Sequence, residues 1–212
     1  MVVCDFDGTI SEEEVFVGLM RHFAPAAAAR ILPEIYAQRL TLREGLPIVL
    51  ESIPSMAWPA MEDFVRGKTL RPGFAAFLSH LQAAGVPLVV VTGGFGEMAR
   101  IVLGPLAAAV TAIHGLEADR SGPFLRVHSA WEDDAELVAK PLILAHYHPD
   151  EALCIGDSIT DLRMARVCPQ IFARDRLAEY LRKEGRPFVA FTDFFDVDRA
   201  VAQRWWPEGA HD

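Results

Sequence analysis

The stretch VVCDFDGT at residues 2–9 decides the fold, because a run of apolar residues is followed at once by two aspartates and a glycine. An uninterrupted apolar run of this kind is typical of a strand that is buried on both faces of a parallel sheet. In open α/β sheets, ligands bind beyond the carboxyl ends of the strands. Asp5 and Asp7 therefore stand where such a sheet places its functional groups.

Two further apolar runs end in polar residues in the same way. Residues 86–91 lead into TGG at residues 92–94, and residues 152–155 lead into GDS at residues 156–158. Segments of helical periodicity lie between the runs, and this alternation indicates an open, mostly parallel α/β sheet flanked by helices. The sequence also predicts short strands at residues 110–113, 124–127 and 170–173, and helices at residues 74–84, 97–106 and 161–167, with another that starts near Glu136.

Residues 11–70 interrupt the alternation directly after the first strand. This segment reads as several short helices separated by prolines, and Ser11 at its start can cap a helix that begins with three glutamates. We therefore predict an α/β core domain formed by residues 1–10 and 71–212, and an inserted helical cap domain formed by residues 11–70. The chain crosses between the two near Ser11 and at residues 70–73, where we expect a hinge.

The composition limits the partners that the protein can have. The chain has 212 residues, 51% of them hydrophobic, and a formal net charge of −9 with no long basic run. These values argue against nucleic acid and membranes as partners, but not against a small anion held by local groups. No apolar run reaches the ~18 residues of a membrane span, and the start of the chain does not resemble a signal peptide. With three cysteines at spacings that match no zinc or redox pair, we expect a reduced cytoplasmic protein, monomeric or homodimeric.

The residues at the predicted strand ends, together with Lys140, share one chemistry. Asp5, Asp7 and Asp157 would bring like charges together, an arrangement that is unfavourable without a cation. A few hard oxygen ligands suit Mg²⁺, which completes its coordination with water and phosphate oxygens. The Thr92 hydroxyl, the backbone amides after it and the Lys140 ammonium suit a phosphate group. At such a site one carboxylate can attack phosphorus, while a second exchanges protons with the leaving oxygen and the attacking water.

In their order along the chain, these residues resemble the four motifs of the haloacid-dehalogenase-superfamily phosphatases. DFDGT at residues 5–9 is similar to the first motif, Thr92-Gly93 to the second, Lys140 to the third, and GDSITD at residues 156–161 to the fourth. The resemblance covers nearly the whole chain. It implies a Rossmann-like parallel sheet with a small inserted helical cap, as in the phosphoserine-phosphatase-like branch of the superfamily.

The same resemblance implies roles for individual residues in a Mg²⁺-dependent phosphatase. Asp5 would be the nucleophile that forms an aspartyl-phosphate, and Asp7 the general acid and base. Mg²⁺ would be held by Asp5, the backbone carbonyl of Asp7 and Asp157, while Asp161 would order either the metal's water or Lys140. The groups implied to bind phosphate are Thr92, Gly93 and Lys140. Because dehalogenases of this superfamily lack the acid at Asp7, the resemblance argues against carbon–halogen cleavage.

Within this branch, three stretches are similar to the 2-hydroxy-3-keto-5-methylthiopentenyl-1-phosphate phosphatases of methionine salvage: residues 23–25, 40–45 and 172–175. The likeness implies a small phosphorylated metabolite as substrate, with that enol phosphate as first choice. The alternative is a phosphoserine phosphatase, in which Glu14 would face the substrate amine. Residues 46–50, however, lack the arginine that such enzymes use for the substrate carboxylate. An alternative of another class is a protein that binds a phosphorylated metabolite with negligible turnover.

A few other residues have interpretations of their own. Arg39 or Arg43 could replace the missing ligand for a substrate carboxylate. We interpret His146 and His148 as surface residues rather than metal ligands, and Trp131 as part of the loop that leads to the third motif. Two tryptophans near the end of the chain are expected to pack the last helix or to form an oligomer contact, namely Trp205 and Trp206.

Overall fold

The computed structural model describes residues 1–148 and 151–205, and its centre is a seven-stranded sheet. The strands are β1 (Val2–Asp5), β2 (Leu88–Phe95), β3 (Ala112–Asp119), β4 (Arg126–His128), β5 (Leu153–Gly156), β6 (Gln170–Ala173) and β7 (Val189–Ala190). Their order across the sheet is β4-β3-β2-β1-β5-β6-β7, and all neighbouring strands are parallel except β3 and β4. The predicted mostly parallel α/β sheet is confirmed.

Helices connect and flank the strands. They are α1 (Val15–Phe23), α2 (Pro25–Tyr36), α3 (Leu42–Leu50), α4 (Trp58–Val65), α5 (Phe74–Ala83), α6 (Gly96–Leu103), α7 (Lys140–His146), α8 (Leu162–Val167), α9 (Asp175–Lys183) and α10 (Phe194–Trp205). Helices α1 to α4 lie between β1 and α5 along the chain, in the segment predicted to form the cap. The division into a core domain and a cap domain stays a prediction.

β1 lies at the centre of the sheet because its side chains are apolar on both faces. Residues 2–4 have no exposed surface, and the strand pairs with β2 on one side and with β5 on the other. In this register Asp5 stands beside Val91, and Cys4 stands beside Ile155. The carboxyl ends of β1, β2 and β5 therefore open onto the same edge of the sheet.

Two predicted helix starts are wrong. The helix expected from Ser11 begins only at Val15, because Ser11 forms an antiparallel bridge with Leu70. The helix expected to start near Glu136 begins at Lys140. The backbone before it forms a turn instead, in which the Asp133 side chain accepts the amide hydrogen of Glu136 at 2.8 Å. An aspartate that binds a nearby amide in this way competes with helix formation.

Strands β2 and β3 extend beyond their predicted ends. β2 continues through two glycines to Phe95, with an irregular register, and β3 runs on to Asp119. Small residues allow this close pairing, since a Cβ on Gly115 would lie 2.7 Å from the carbonyl oxygen of Gly94. The short strand β4 forms at residues 126–128, two residues later than the predicted start.

The chain passes between the sheet and helices α1–α4 at two places that lie side by side. Ser11, on the outgoing segment, pairs with Leu70 on the returning segment. The Arg71 guanidinium is almost buried and donates to the carbonyl oxygens of Thr9 at 2.7 Å and Gly8 at 2.6 Å. The two segments thus form one hydrogen-bonded ribbon in the region where we predicted a hinge.

The interior of the molecule contains all three cysteines. Cys4, Cys154 and Cys168 are buried and form no disulfide. Within residues 1–148 and 151–205, no helix is both long and apolar enough to cross a bilayer. Trp205 is the last residue of α10. The roles predicted for the side chain of Trp205 and for Trp206 lie outside the described residues.

Candidate active site

A lysine and two aspartates from different elements meet at the carboxyl end of β1. Lys140, the first residue of α7, places its Nζ atom 2.5 Å from Asp5 Oδ1 and 2.6 Å from Asp161 Oδ1. All three side chains are buried, and Lys140 is only 1% exposed. One ammonium group therefore binds two carboxylates out of contact with bulk water.

Asp161 is held in place by backbone amides as well as by the lysine. Its Oδ2 atom accepts hydrogen bonds from the amides of Asp157 at 3.1 Å and Ser158 at 3.0 Å. A Cβ at position 156 would lie 2.5 Å from Asp161 Cγ, so Gly156 leaves the space that this carboxylate occupies. Both oxygens of Asp161 are thus engaged, and its contacts fix the position of Lys140.

The clustering of charges shifts the proton affinity of each group. Burial and the charges of Asp161 and Asp157 raise the pKa of Asp5 well above its usual range, against the opposing effect of Lys140. Burial and Asp161 also raise the pKa of Asp157, to about 7. Burial by itself lowers the pKa of Lys140, but Asp161 and Asp5 outweigh it, and the net shift is upward. The carboxylates outnumber the single lysine, so the cluster favours an additional cation.

The same carboxylates form a group that could hold a metal ion. One oxygen each from Asp5, Asp157 and Asp161 lies within 4.8 Å of the others. Asp5 Oδ2 is buried and has no hydrogen-bond partner among the described residues, while Asp157 Oδ1 accepts a hydrogen bond from the Thr9 hydroxyl at 3.1 Å. Gly8 has a φ of +77°, and a Cβ there would lie 2.5 Å from Asp157 Oδ2. A glycine at this turn therefore keeps the space beside Asp157 open.

Asp7 is fixed by hydrogen bonds from α1 and β2. Its Oδ1 accepts from the amide of Phe16 at 2.8 Å, and its Oδ2 accepts from the hydroxyl of Thr92 at 2.8 Å. Burial raises the pKa of Asp7, although both hydrogen bonds oppose the shift. The Thr92 oxygen also accepts the Gly94 amide hydrogen at 2.9 Å. In this arrangement, the hydroxyl that we expected to bind phosphate orients Asp7.

A cavity extends from Asp5, Asp7 and Lys140 toward helices α1, α2 and α3. Gly93, predicted to bind phosphate, also lines it. The rest of the wall is largely apolar, and its apolar residues are Phe16, Val17, Met20, Leu32, Ile35, Leu42, Leu46, Leu137, Val138 and Ile159. The cavity thus joins a charged end to an apolar remainder.

Three further charged side chains line this cavity. Glu14, which we predicted to face the substrate, is an exposed residue directly before α1. Glu136 and Arg176 were not predicted. The Arg176 guanidinium lies 5.4 Å from the centre of the Tyr36 ring, within the range of a cation–π contact. Glu136 belongs to an acidic run shortly before Lys140, but the run by itself does not indicate which of its acids faces the cavity.

The structure does not bring either candidate cap arginine to the cavity. Arg39 forms an ion pair with Glu34 at 2.7 Å, and Arg43 forms one with Glu132 at 3.2 Å. Among the described residues, the cations that line the cavity are Lys140 and Arg176, which lies on α9. The helices α1–α4 therefore contribute no positive charge to the cavity wall.

Trp131 and the nearby histidines pack together outside the cavity. His114 Nδ1 accepts a hydrogen bond from Trp131 Nε1 at 3.1 Å, and the ring centre of His146 lies 5.0 Å from that of Trp131. His146 and His148 are exposed, in agreement with their prediction as surface residues. In the part of the chain that the structure describes, the one cluster suited to a metal is formed by aspartates and includes neither histidine.

Residues 2–166 match the family described as haloacid dehalogenase-like hydrolase. The chain belongs to this family. The match spans β1 through most of α8 and therefore contains every element that contributes to the carboxylate–lysine cluster. The predicted family resemblance is confirmed.

Two curated relatives of this hydrolase carry the same name. The 2-hydroxy-3-keto-5-methylthiopentenyl-1-phosphate phosphatase of Microcystis aeruginosa (strain NIES-843 / IAM M-2473) is 45% identical over 199 residues, which cover 93% of this chain and 95% of the relative. A protein of the same name from Brevibacillus brevis (strain 47 / JCM 6285 / NBRC 100599) is 32% identical, with coverages of 96% and 95%. These matches confirm the predicted likeness and the prediction that the chain is a phosphatase of the haloacid dehalogenase-like family.

Solved structures with a similar fold include phosphoserine phosphatases. A substrate-bound phosphoserine phosphatase complex superimposes with a TM-score of 0.74 at 15% identity, covering 94% of this chain and 96% of the other. The enzyme from T. onnurineus gives a TM-score of 0.67 at 16% identity, with coverages of 95% and 93%. At this level of identity the likeness shows the fold alone, and it confirms the predicted fold class.

Proposed function

We propose that this hydrolase is a Mg²⁺-dependent phosphomonoesterase that works through an aspartyl-phosphate on Asp5. The observation that carries the proposal is the buried cluster in which Asp5 lies beside both Lys140 and Asp157, at the end of a cavity lined by Asp5, Asp7 and Lys140. Carboxylates without enough compensating charge favour a divalent cation, and a lysine beside them favours an anionic substrate. Together these groups suit a phosphate ester.

The donor set fits Mg²⁺ better than softer metals, because the available groups are carboxylate and carbonyl oxygens. We assign Asp5, through its unpartnered Oδ2, Asp157 and the backbone carbonyl of Asp7 as the residues that would hold the ion. Asp161 is a poorer ligand, since its oxygens already bind Lys140 and two amides. When bound, Mg²⁺ would neutralise charge on the phosphoryl group and on the carboxylates around it.

The residues of the chain divide the reaction between them. The Asp5 carboxylate attacks phosphorus, so that an oxygen–phosphorus bond forms on Asp5 while the bond to the ester oxygen breaks. Asp7 gives its proton to the leaving oxygen, and its raised pKa suits this role. In the second half, Asp7 takes a proton from the water that attacks the aspartyl-phosphate, which releases phosphate and restores Asp5. Lys140 and the backbone amide of Gly93 bind phosphoryl oxygens, and Thr92 orients Asp7.

As substrate we propose 2-hydroxy-3-keto-5-methylthiopentenyl-1-phosphate. Two observations support this choice: the names of the relatives that match over most of their length, and the apolar wall of the cavity, which suits a methylthioalkyl chain. Phosphoserine fits less well, because its carboxylate would find no cation on α1–α4 among the described cavity residues. We further expect a cytoplasmic protein, monomeric or homodimeric.

The reaction is tested by phosphate release from p-nitrophenyl phosphate in the presence of Mg²⁺. We expect turnover that is lost with a chelator and regained when Mg²⁺ is restored. Asp5→Asn should abolish turnover while leaving the melting curve cooperative, whereas Asp63→Asn should have no effect, because the Asp63 side chain is 79% exposed on the surface. Normal turnover in Asp5→Asn would refute the mechanism. Absence of turnover in the wild type, with intact binding of phosphate esters, would favour the metabolite-binding alternative.

The substrate is tested by ranking small phosphate esters by kcat/KM. The panel should contain phosphoserine and the methionine-salvage enol phosphate, with product analysis in the absence of any added acceptor. We expect the enol phosphate to rank first. A clear preference for phosphoserine would overturn the choice of substrate but leave the reaction unchanged.

A further inference from the structure

Glu136 is a nearly buried acid in the wall of the candidate active-site cavity. It lies in the turn between β4 and α7, four positions before Lys140, and only 7% of its surface is exposed. Its neighbours along the wall, Leu137 and Val138, are apolar. Neither the proposed chemistry nor the metal site uses this carboxylate.

The Glu136 carboxylate is incompletely satisfied by its surroundings. Oε2 is buried and lies 3.0 Å from Nη1 of Arg163, on α8, yet it has no hydrogen-bond partner among the described residues. Arg163 also binds Asp133 at 2.6 Å, and this contact holds the pKa of Asp133 down at about 2. Arg163 therefore already has a close acceptor in Asp133. Pairing with Arg163 does not by itself explain why a second acid, Glu136, lies in the cavity wall.

A carboxylate oxygen in a mostly apolar cavity is unfavourable unless something donates to it. Burial accordingly raises the pKa of Glu136, although Arg163 and Lys140 oppose the shift. A ligand that carries a hydrogen-bond donor would supply this carboxylate with a partner when it enters the cavity. The side chain cannot easily turn away, because the backbone amide of Glu136 donates to Asp133 at 2.8 Å and its Oε2 lies 3.0 Å from Arg163.

We propose that Glu136 is a specificity-determining residue that accepts a hydrogen bond from a hydroxyl group near the phosphorylated carbon of the substrate. This inference rests on the proposed function, because it assumes that a phosphate ester occupies the cavity. Glu136 lines the same cavity as Asp5 and Lys140 and precedes Lys140 by four positions, so the proposal places it beside the part of the substrate close to the phosphate. Arg163 is then a positioning residue, which holds the carboxylate toward the cavity.

The test compares pairs of synthetic esters that differ in one group. 2-Hydroxypentyl phosphate, pentyl phosphate and 2-aminopentyl phosphate are assayed with Mg²⁺ on the wild type, Glu136→Leu, Glu136→Gln and Glu132→Leu. The readout is the ratio of kcat/KM between the hydroxylated and the plain ester, with kcat and KM determined separately. Because both esters are measured on the same variant, a general loss of activity cancels in this ratio.

We expect the wild type to prefer the hydroxylated ester about tenfold or more, as is usual for a hydroxyl that meets a charged acceptor in an enclosed site. Glu136→Leu should bring the ratio close to one, mainly through KM. Glu136→Gln should retain part of the preference, because an amide still hydrogen-bonds a hydroxyl. Glu132→Leu should keep the wild-type ratio, since Glu132 belongs to the same acidic run but is exposed, pairs with Arg43 and does not line the cavity.

Each remaining outcome counts against the inference. A wild type without a preference for the hydroxyl, or a Glu136→Leu variant that retains it, would show that Glu136 does not recognise this group. A stronger preference for the 2-amino ester would replace the hydroxyl by an ammonium group as the partner. If the wild type hydrolyses none of the esters and also leaves p-nitrophenyl phosphate intact, the proposed function fails, and this inference fails with it.

Discussion

Replacement of Lys140 by methionine isolates the electrostatic role of the buried lysine. Methionine keeps much of the length and volume of the side chain but removes the charge. In the metal-free protein, Asp5 and Asp161 would lose the ammonium that lies 2.5 and 2.6 Å from them, in a site where Lys140 is 1% exposed. The two carboxylates would then remain buried without a cation, and we expect a large loss of stability.

The magnitude follows from the burial of the pair. Removal of one partner of a buried ion pair destabilises a protein by about 3–5 kcal/mol, because the other charge is left unpaired. For a chain of this size each kcal/mol lowers the melting temperature by about 2–4 °C, which gives a decrease of roughly 6–20 °C. A lower pH should reduce the loss, since the carboxyl groups can then bind protons instead.

The assay is thermal and urea unfolding of the metal-free protein, with Lys68→Met as the matched control. Lys68 also forms an ion pair, with Glu13 at 2.7 Å, but its side chain is 23% exposed and that of Glu13 is 61% exposed. An exposed pair of this kind contributes about 0.2–1 kcal/mol. If Lys140→Met destabilises the protein no more than Lys68→Met does, the account of the charge balance at the site is wrong.

Two further predictions concern the metal site. The raised pKa of Asp157, about 7, means that this group stabilises the metal-free fold fully below its unfolded pKa near 4 and ceases to do so as the pH rises through 7. Since Mg²⁺ needs the carboxylate form, the increase in melting temperature on adding Mg²⁺ should be larger at about pH 8 than at about pH 6, and an equal increase would contradict the assignment. Gly8→Ala should weaken Mg²⁺ binding in calorimetry, because its Cβ would lie 2.5 Å from Asp157 Oδ2. Gly67→Ala is the control, as Gly67 has the same φ of +77° but open space around its Cβ, so it should cost only the ~1–2 kcal/mol of backbone strain.

The parts of the fold that could be predicted are those that follow from local pattern. Buried apolar runs such as residues 2–4 and 152–155 can be recognised from hydropathy alone, and parallel strands bring their carboxyl ends to one edge. That rule was enough to expect Asp5 and Asp157 near each other, and the structure has them in one cluster. Lys140 was found by its motif, because nothing in its local sequence marks a lysine as buried.

The parts that could not be predicted depend on the direction of individual side chains. The Thr92 hydroxyl, which we predict to bind phosphate, also donates to Asp7, and no spacing rule indicates this contact. Glu136 belongs to a run of acids, and the other acids of this run do not line the cavity. The turn held by Asp133 determines that Glu136 is the acid that lies in the cavity wall. The periodicity of hydrophobic residues along the chain does not indicate a turn of this kind, which depends on side-chain hydrogen bonds to the backbone.

The ribbon formed at Ser11 and Leu70 restricts how helices α1–α4 can move. Two hydrogen-bonded segments bend together more easily than they slide past each other, because sliding breaks the bonds between them. The Arg71 side chain adds to this restriction by tying the returning segment to the carbonyls of Thr9 and Gly8. The connection therefore favours bending of the paired segments over sliding. If α1–α4 move by bending at this ribbon, they return to the same closed position, so one shape of the closed cavity selects the substrate.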